Sequence, residues 1–123
     1  IDLDRFKALN DTQGHAAGDL ALRLVSDTLS ARVRASDAAA RLGGDEFAVL
    51  LRNAPARDGD RIRDTLVSAI DQRLSRAGFA VTASCGVVTF DEPPASAAMA
   101  LEEADRAMYA VKATHGGTRG AVA

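Results

Sequence analysis

Residues 38–51 read Ala38-Ala-Ala-Arg41-Leu42-Gly43-Gly44-Asp45-Glu46-Phe47-Ala-Val-Leu-Leu51: two short apolar runs divided by paired glycines and two acids. Paired glycines between apolar runs of this length are the pattern of a tight β-hairpin, because glycine enters the positive-φ turn conformations that other residues resist. Strands are therefore expected over Ala38–Leu42 and Phe47–Leu51, with Asp45 and Glu46 at the tip. Working outward, Leu22, Val25, Leu29 and Val33 recur every three or four residues and predict a helix from Ala16 to Arg34. On the other side, Ile62, Leu66, Ile70 and Leu74 predict a helix from Arg57 to Arg76, with Gly78 as its terminator. Ile1–Asp4 reads as the end of a strand, followed by a short segment, Arg5–Asp11, and a turn at Thr12-Gln-Gly14-His15. A strand is expected over Phe79–Phe90 and is broken by Pro93-Pro94. Leu101, Ala104, Met108 and Val111 mark a last helix, and Gly116-Gly117 leads to a short strand near Ala121. The order strand, helix, strand, strand, helix, strand, helix predicts an α+β fold of the ferredoxin-like or palm type, an antiparallel sheet covered by helices.

The chain has 123 residues, 47% hydrophobic and 26% charged, which suits one globular domain with a single core. Its 15 basic and 17 acidic residues are mixed along the chain for a net charge of −2, so no broad basic field exists to hold a nucleic-acid backbone. No apolar run approaches the ~20 residues a membrane-spanning helix needs. The lone Cys85 cannot form an internal disulfide, and a buried, inert thiol is expected in its strand. These features predict a cytosolic domain that binds neither nucleic acid nor membrane. The start at Ile1, without methionine or targeting segment, predicts a piece of something longer, whose parent could be membrane-anchored.

Asp2-Leu3-Asp4 closes the first strand and Asp45-Glu46 tips the hairpin, so a hairpin beside that strand gathers several carboxylates at one sheet edge. Like charges held a few ångströms apart raise one another's pKa or need a cation, and hard oxygen ligands suit magnesium or manganese. Acidic turns are also commonly just solvated, and spacing alone leaves both readings open.

The residues around these acids occur in a telling order: Asp2-Leu-Asp4-Arg5-Phe6-Lys7-Ala-Leu-Asn10-Asp11, then Gly14-His15, Gly18-Asp19 and Arg41-Leu-Gly43-Gly44-Asp45-Glu46-Phe47. The set resembles the GGDEF family of diguanylate cyclases, from Ile1 to about Lys112. The resemblance implies a domain over residues 1–123 that lacks the family's first helix and the start of its first strand. It implies condensation of two GTP into cyclic di-GMP and pyrophosphate by a homodimer, with two magnesium ions per half-site, manganese being a possible substitute. Asp2, Asp45 and the carbonyl of Leu3 are the implied metal ligands. Asp45 is the first choice as proton acceptor, with Glu46 beside it as the alternative. Retention as a cyclic di-GMP receptor without catalysis is the rival reading.

The same resemblance implies that the amides of Arg5, Phe6 and Lys7, with the Lys7 ammonium, hold the β- and γ-phosphates, as a helix N-terminus would. Gly43 and Gly44 let the nucleotide approach the backbone. Asn10 and Asp19 read guanine, since a carboxylate accepts from N1–H and the 2-amino group while an amide can donate and accept. His15 lies at the nucleotide pocket. By local rules alone, Lys7 is a solvated side chain, Asn10 a helix-end residue, Asp19 a first-turn acid and His15 structural. Lys112 matches the last-helix lysine, but Lys112-Ala-Thr-His115-Gly116-Gly117-Thr-Arg119 departs from the family spacing, so Arg119 matches the phosphate-binding arginine only by displacement. Arg34-Ala-Ser-Asp37 stands where the family carries its RxxD product-inhibition site; in isolation it would be a basic helix end followed by a turn aspartate.

Overall fold

The computed structural model describes residues 1–115 and 120–122. Alternation along the strands decides which side chains meet the core. In β1 (Asp2–Asp4) Leu3 is buried on one face, while Asp2 and Asp4 turn to the other. β2 (Ala38–Gly43) and β3 (Glu46–Leu50) form the expected hairpin, with Phe47 buried and Val49 packed beside the core. β4 (Thr82–Val87) contributes Ala83 to the same side as Leu3.

Two helices cover that face. α2 (His15–Arg32) buries Ala21, Leu22, Val25 and Leu29, and α3 (Gly59–Arg76) buries Leu66, Val67, Ile70 and Leu74. Each such large side chain, sealed from water, contributes about 1.5–3 kcal/mol. α3 ends in a Schellman motif: the Gly78 N–H donates to Ser75 and the Phe79 N–H to Leu74, with Gly78 at φ 83°. Gly78 is thus the terminator that the sequence predicts.

The sheet order is β2-β3-β1-β4-β5, with β1 antiparallel to β3 and β4, and β2 antiparallel to β3. The first four strands follow the ferredoxin-like order, so the predicted fold class holds. β5 (Gly120–Val122) adds to β4 in parallel. α4 (Ala97–His115) lies on the opposite face of the sheet, against β4. Its seat is Gly86, where a Cβ would come within 2.5 Å of both the Ala104 carbonyl oxygen and the Met108 nitrogen.

Several boundaries differ from the sequence expectations. The segment after Asp4 is a helix, α1 (Phe6–Gln13), and the predicted turn shrinks to Gly14, whose N–H caps the Asn10 carbonyl at φ 88°. Thr12 continues the helix because its hydroxyl bonds back to the Ala8 carbonyl at 2.7 Å. α2 ends at Arg32, so Val33, expected in its buried stripe, is extended and half-buried. β4 is shorter than Phe79–Phe90; Phe79 and Val81 are core residues that precede it. On α4, Leu101 is exposed, while Ala107 and Met108 are buried toward the sheet. Val111 lies within α4 as expected, while Arg119 lies outside the described residues. No described helix is long and apolar enough to cross a membrane.

Candidate functional site

Register brings the acids together. Asp2 is the Cα partner of Glu46 across β1 and β3, and Phe47 N–H donates to the Ile1 carbonyl at 2.8 Å. The turn residue Asp45, immediately before Glu46, therefore sits beside Asp2. The hairpin turn itself is narrower than expected. Gly43 still pairs with Glu46 across a register shift, and only Gly44 and Asp45 form the turn, tethered by Arg41 Nε donating to the Gly44 carbonyl at 2.9 Å. Gly43 at φ 151° and Gly44 at φ 50° occupy positive-φ conformations that favour glycine. Glu46 opens β3 as an exposed residue.

Burial, and then the nearby charge of Asp2, push the Asp45 carboxyl above the usual aspartate range, with Glu46 adding a smaller push. Among the described residues the buried Asp2 Oδ1 has no hydrogen-bond partner, while its Oδ2 accepts from Lys112 Nζ at 2.9 Å. A carboxylate oxygen left bare beside a second carboxylate is a hard-donor pair that suits a divalent cation. The expected crowd of carboxylates at a sheet edge is, however, reduced to this pair at the end of central strands. Asp4 is taken up elsewhere: it accepts from Ser84 Oγ at 2.8 Å and Thr82 Oγ1 at 3.1 Å, with Lys112 Nζ 3.5 Å away. Among the described residues no three or more His, Cys, Asp and Glu side chains converge on a possible metal position.

Lys112 reaches Asp2 from α4. Met108, one turn earlier on the same helix face, packs its backbone against Gly86, and this aims the lysine across the sheet. Burial opposes the Lys112 charge, but the hydrogen bond and charge of Asp2, with Asp4 behind, outweigh it and raise its pKa. Sequence reasoning missed Thr82, Ser84 and Gly86. The alternation Thr82-Ala-Ser84-Cys-Gly86 was the available signal, polar or small on the α4 face and apolar on the core face. Cys85 is buried and burial raises its pKa, as expected of an inert thiol.

Directly after the acidic strand, Arg5 adopts the left-handed conformation, φ 62° and ψ 25°, rare for a residue with a long side chain. This turns the chain at once into α1, whose first intrahelical bond joins the Leu9 N–H to the Arg5 carbonyl. The N–H groups of Phe6, Lys7 and Ala8 precede that bond and have no helical acceptor, and no side chain caps them. Arg5 and Lys7 are exposed and Phe6 is half-buried. Asn10 lies on the last turns of α1; His15 and Asp19 lie exposed at the start of α2.

Arg34 and Asp37 stand at the base of the hairpin, opposite the turn that carries Asp45. Asp37 Oδ1 accepts from the Arg52 N–H at 3.0 Å, and Oδ2 accepts from the Arg34 N–H at 3.0 Å and from Arg34 Nε at 3.4 Å. Arg34 Nη2 donates to the Arg52 carbonyl at 3.0 Å. Asp37 lies at the molecular surface, yet its carboxylate is covered by the groups that bind it. The Arg52 and Arg34 backbone bonds lower its pKa.

Residues 1–118 match the family model for the diguanylate cyclase, GGDEF domain. The chain is 42% identical over 123 residues to diguanylate cyclase TpbB of Pseudomonas aeruginosa, covering 97% of this chain and 28% of that protein. It is 41% identical over 119 residues to the probable diguanylate cyclase DgcE of Escherichia coli K12, covering 91% of this chain and 10% of that protein. The chain thus spans well under a third of either relative. A solved GGDEF-only structure of Pseudomonas aeruginosa TpbB superposes with a TM-score of 0.83 at 38% identity, covering 99% of this chain and 73% of that one. The GGDEF domain of Caulobacter crescentus DgcB, solved in complex with cyclic di-GMP, gives 0.76 at 30% identity, over 98% and 71% of the two chains. With the strand order, the glycine hairpin and the paired acids in agreement with this match, the chain belongs to the GGDEF family of diguanylate cyclase domains.

Proposed function

We propose that this chain is a diguanylate cyclase domain, residues 1–123, that joins two GTP molecules into cyclic di-GMP. The observation that carries the reading is the bare, buried Asp2 Oδ1 beside the raised carboxyl of Asp45. GGDEF cyclases generally use divalent metal ions. Asp2, Asp45 and the Leu3 carbonyl are the groups that would hold two magnesium ions, or manganese, which when bound offset phosphate charge and stabilise the entering and departing oxygens.

The rest is work for this chain's own groups. In each of two condensations the 3′-hydroxyl of one GTP attacks the α-phosphate of the other. The new O–P bond forms as the bond to the β-phosphate breaks, and pyrophosphate leaves. Asp45 accepts the hydroxyl proton, with Glu46 as the alternative acceptor. The amides of Arg5, Phe6 and Lys7, the latter two uncapped at the start of α1, and the Lys7 ammonium hold the β- and γ-phosphates. Lys112, already directed at Asp2, is near enough to share that charge. Gly43 and Gly44 leave the turn open to the nucleotide, and Asn10 and Asp19 read guanine with His15 beside them. One half-site holds one GTP, so two copies must face each other to close a symmetric ring. Arg34, presented by Asp37, binds product at the far end of the hairpin.

The test is incubation of the purified chain, alone and with an upstream segment from its parent restored, with GTP and magnesium, followed by chromatography. Cyclic di-GMP is expected, and its absence from both preparations refutes the cyclase reading. The second reading, a receptor that binds cyclic di-GMP without making it, is favoured by the arginine held in place at the hairpin base. It predicts tight product binding with no turnover.

A further inference from the structure

Two helices meet at Gly14, and across that corner one side chain is held in an unusual way. Asn10 Oδ1 is buried and, among the described residues, accepts no N–H or O–H donor. It lies over the α-carbon of Gly18, a buried position in the first turn of α2. A Cβ at Gly18 would fall inside any van der Waals separation from Oδ1 and only 2.9 Å from the Asn10 Cγ, whereas Nδ2 would be farther, at 3.3 Å. The oxygen therefore fills the volume a side chain would take, facing the Gly18 C–H, a weak donor. Turned the other way, the amide would press its NH2 hydrogens against that same C–H, which cannot accept them.

We propose that Gly18 is the specificity-determining residue of the nucleotide site: by seating the Asn10 oxygen it makes Asn10 a donor-only contact, with Nδ2 turned toward the base. This rests on the reading that Asn10 and Asp19 bind guanine. Asp19, the next residue along, is exposed, and its carboxylate is an acceptor only. The pair thus offers one donor and one acceptor. Guanine matches this with the O6 acceptor beside the N1–H and 2-amino donors. Adenine reverses the pattern, placing its 6-amino group against Nδ2 and its bare N1 against the Asp19 carboxylate, so the arrangement rejects ATP as well as accepting GTP. An asparagine free to flip would lose the rejection, because it could offer its oxygen to the adenine amino group.

A double-mutant cycle tests the proposal on the purified protein. The probes are a GTP analogue with a carbon bridge between the α- and β-phosphates and the corresponding ATP analogue, titrated calorimetrically in magnesium. Gly18→Ala is expected to weaken the GTP analogue about tenfold or more, the loss of one ligand hydrogen bond, and to narrow the gap to the ATP analogue. Asn10→Ala should weaken it similarly. In the Asn10→Ala background, Gly18→Ala should change nothing further, and the double variant should recover any melting temperature the single Gly18→Ala loses, since no carboxamide remains to collide with the new methyl group. That recovery keeps the test valid even where Gly18→Ala folds poorly. Undiminished GTP-analogue binding by Gly18→Ala, or a loss that persists without Asn10, overturns the role of Gly18 alone. Undiminished binding by Asn10→Ala overturns the base-reading assignment beneath it.

Discussion

Gly86→Ala should separate α4 from the sheet. The added Cβ would stand 2.5 Å from the Ala104 carbonyl oxygen, 2.5 Å from the Met108 nitrogen and 3.0 Å from the Met108 α-carbon. All three are backbone atoms, so no rotamer change relieves the clash, and the helix must lift by about 1 Å to reach ordinary contact near 3.5 Å. Overpacking of this kind costs about 1–3 kcal/mol. For a domain of this size that lowers the melting temperature by roughly 3–15 °C. The same displacement carries Lys112, one turn beyond Met108, away from Asp2. The measurement is thermal unfolding by circular dichroism near neutral pH without metal, with Gly78→Ala as the comparison. At Gly78 nothing lies within 4 Å, and only its φ of +83° resists a side chain, so that variant loses about 1–2 kcal/mol without touching α4. A Gly86→Ala protein that melts within a degree of the parent would show that α4 is not seated on Gly86, and the placement of Lys112 would fall with it.

Three further outcomes are expected. Asp45→Asn should abolish cyclic di-GMP formation yet melt higher than the parent at neutral pH without metal. A carboxyl whose pKa is raised on folding stabilises the fold below its unfolded pKa and loses that contribution as pH rises through the folded value, so the advantage of the amide should vanish in acid. Lys112→Met should lower the metal-free melting temperature by exposing Asp2 and Asp4 to each other, and added magnesium should narrow the deficit; an equal deficit with and without magnesium would refute the pairing. Arg34→Ala should weaken cyclic di-GMP binding about tenfold to a hundredfold and relieve product inhibition while catalysis persists, as read by calorimetry and by initial rates at rising product.

The hairpin, the two core-facing helices and the terminator at Gly78 were legible in the sequence, because each depends on local rules: side-chain period, the positive φ that glycine favours, and the spacing of apolar residues. The residues from Asp2 to Asp45 that match the family were singled out by motif order rather than by any single spacing. What local rules could not supply was the pairing across the fold. Asp2 meets Asp45 because β1 inserts between β3 and β4, a register settled only when Leu3, Phe47 and Ala83 share one core. Asp4, equivalent to Asp2 by sequence, is drawn off by Thr82 and Ser84, which lie about eighty residues away along the chain. Lys112 finds Asp2 only because Gly86 lets α4 approach closely. Likewise Gly18, which as a motif letter suggested no function, acquires one only where α1 and α2 fold against each other and Asn10 needs the space that a side chain would have filled.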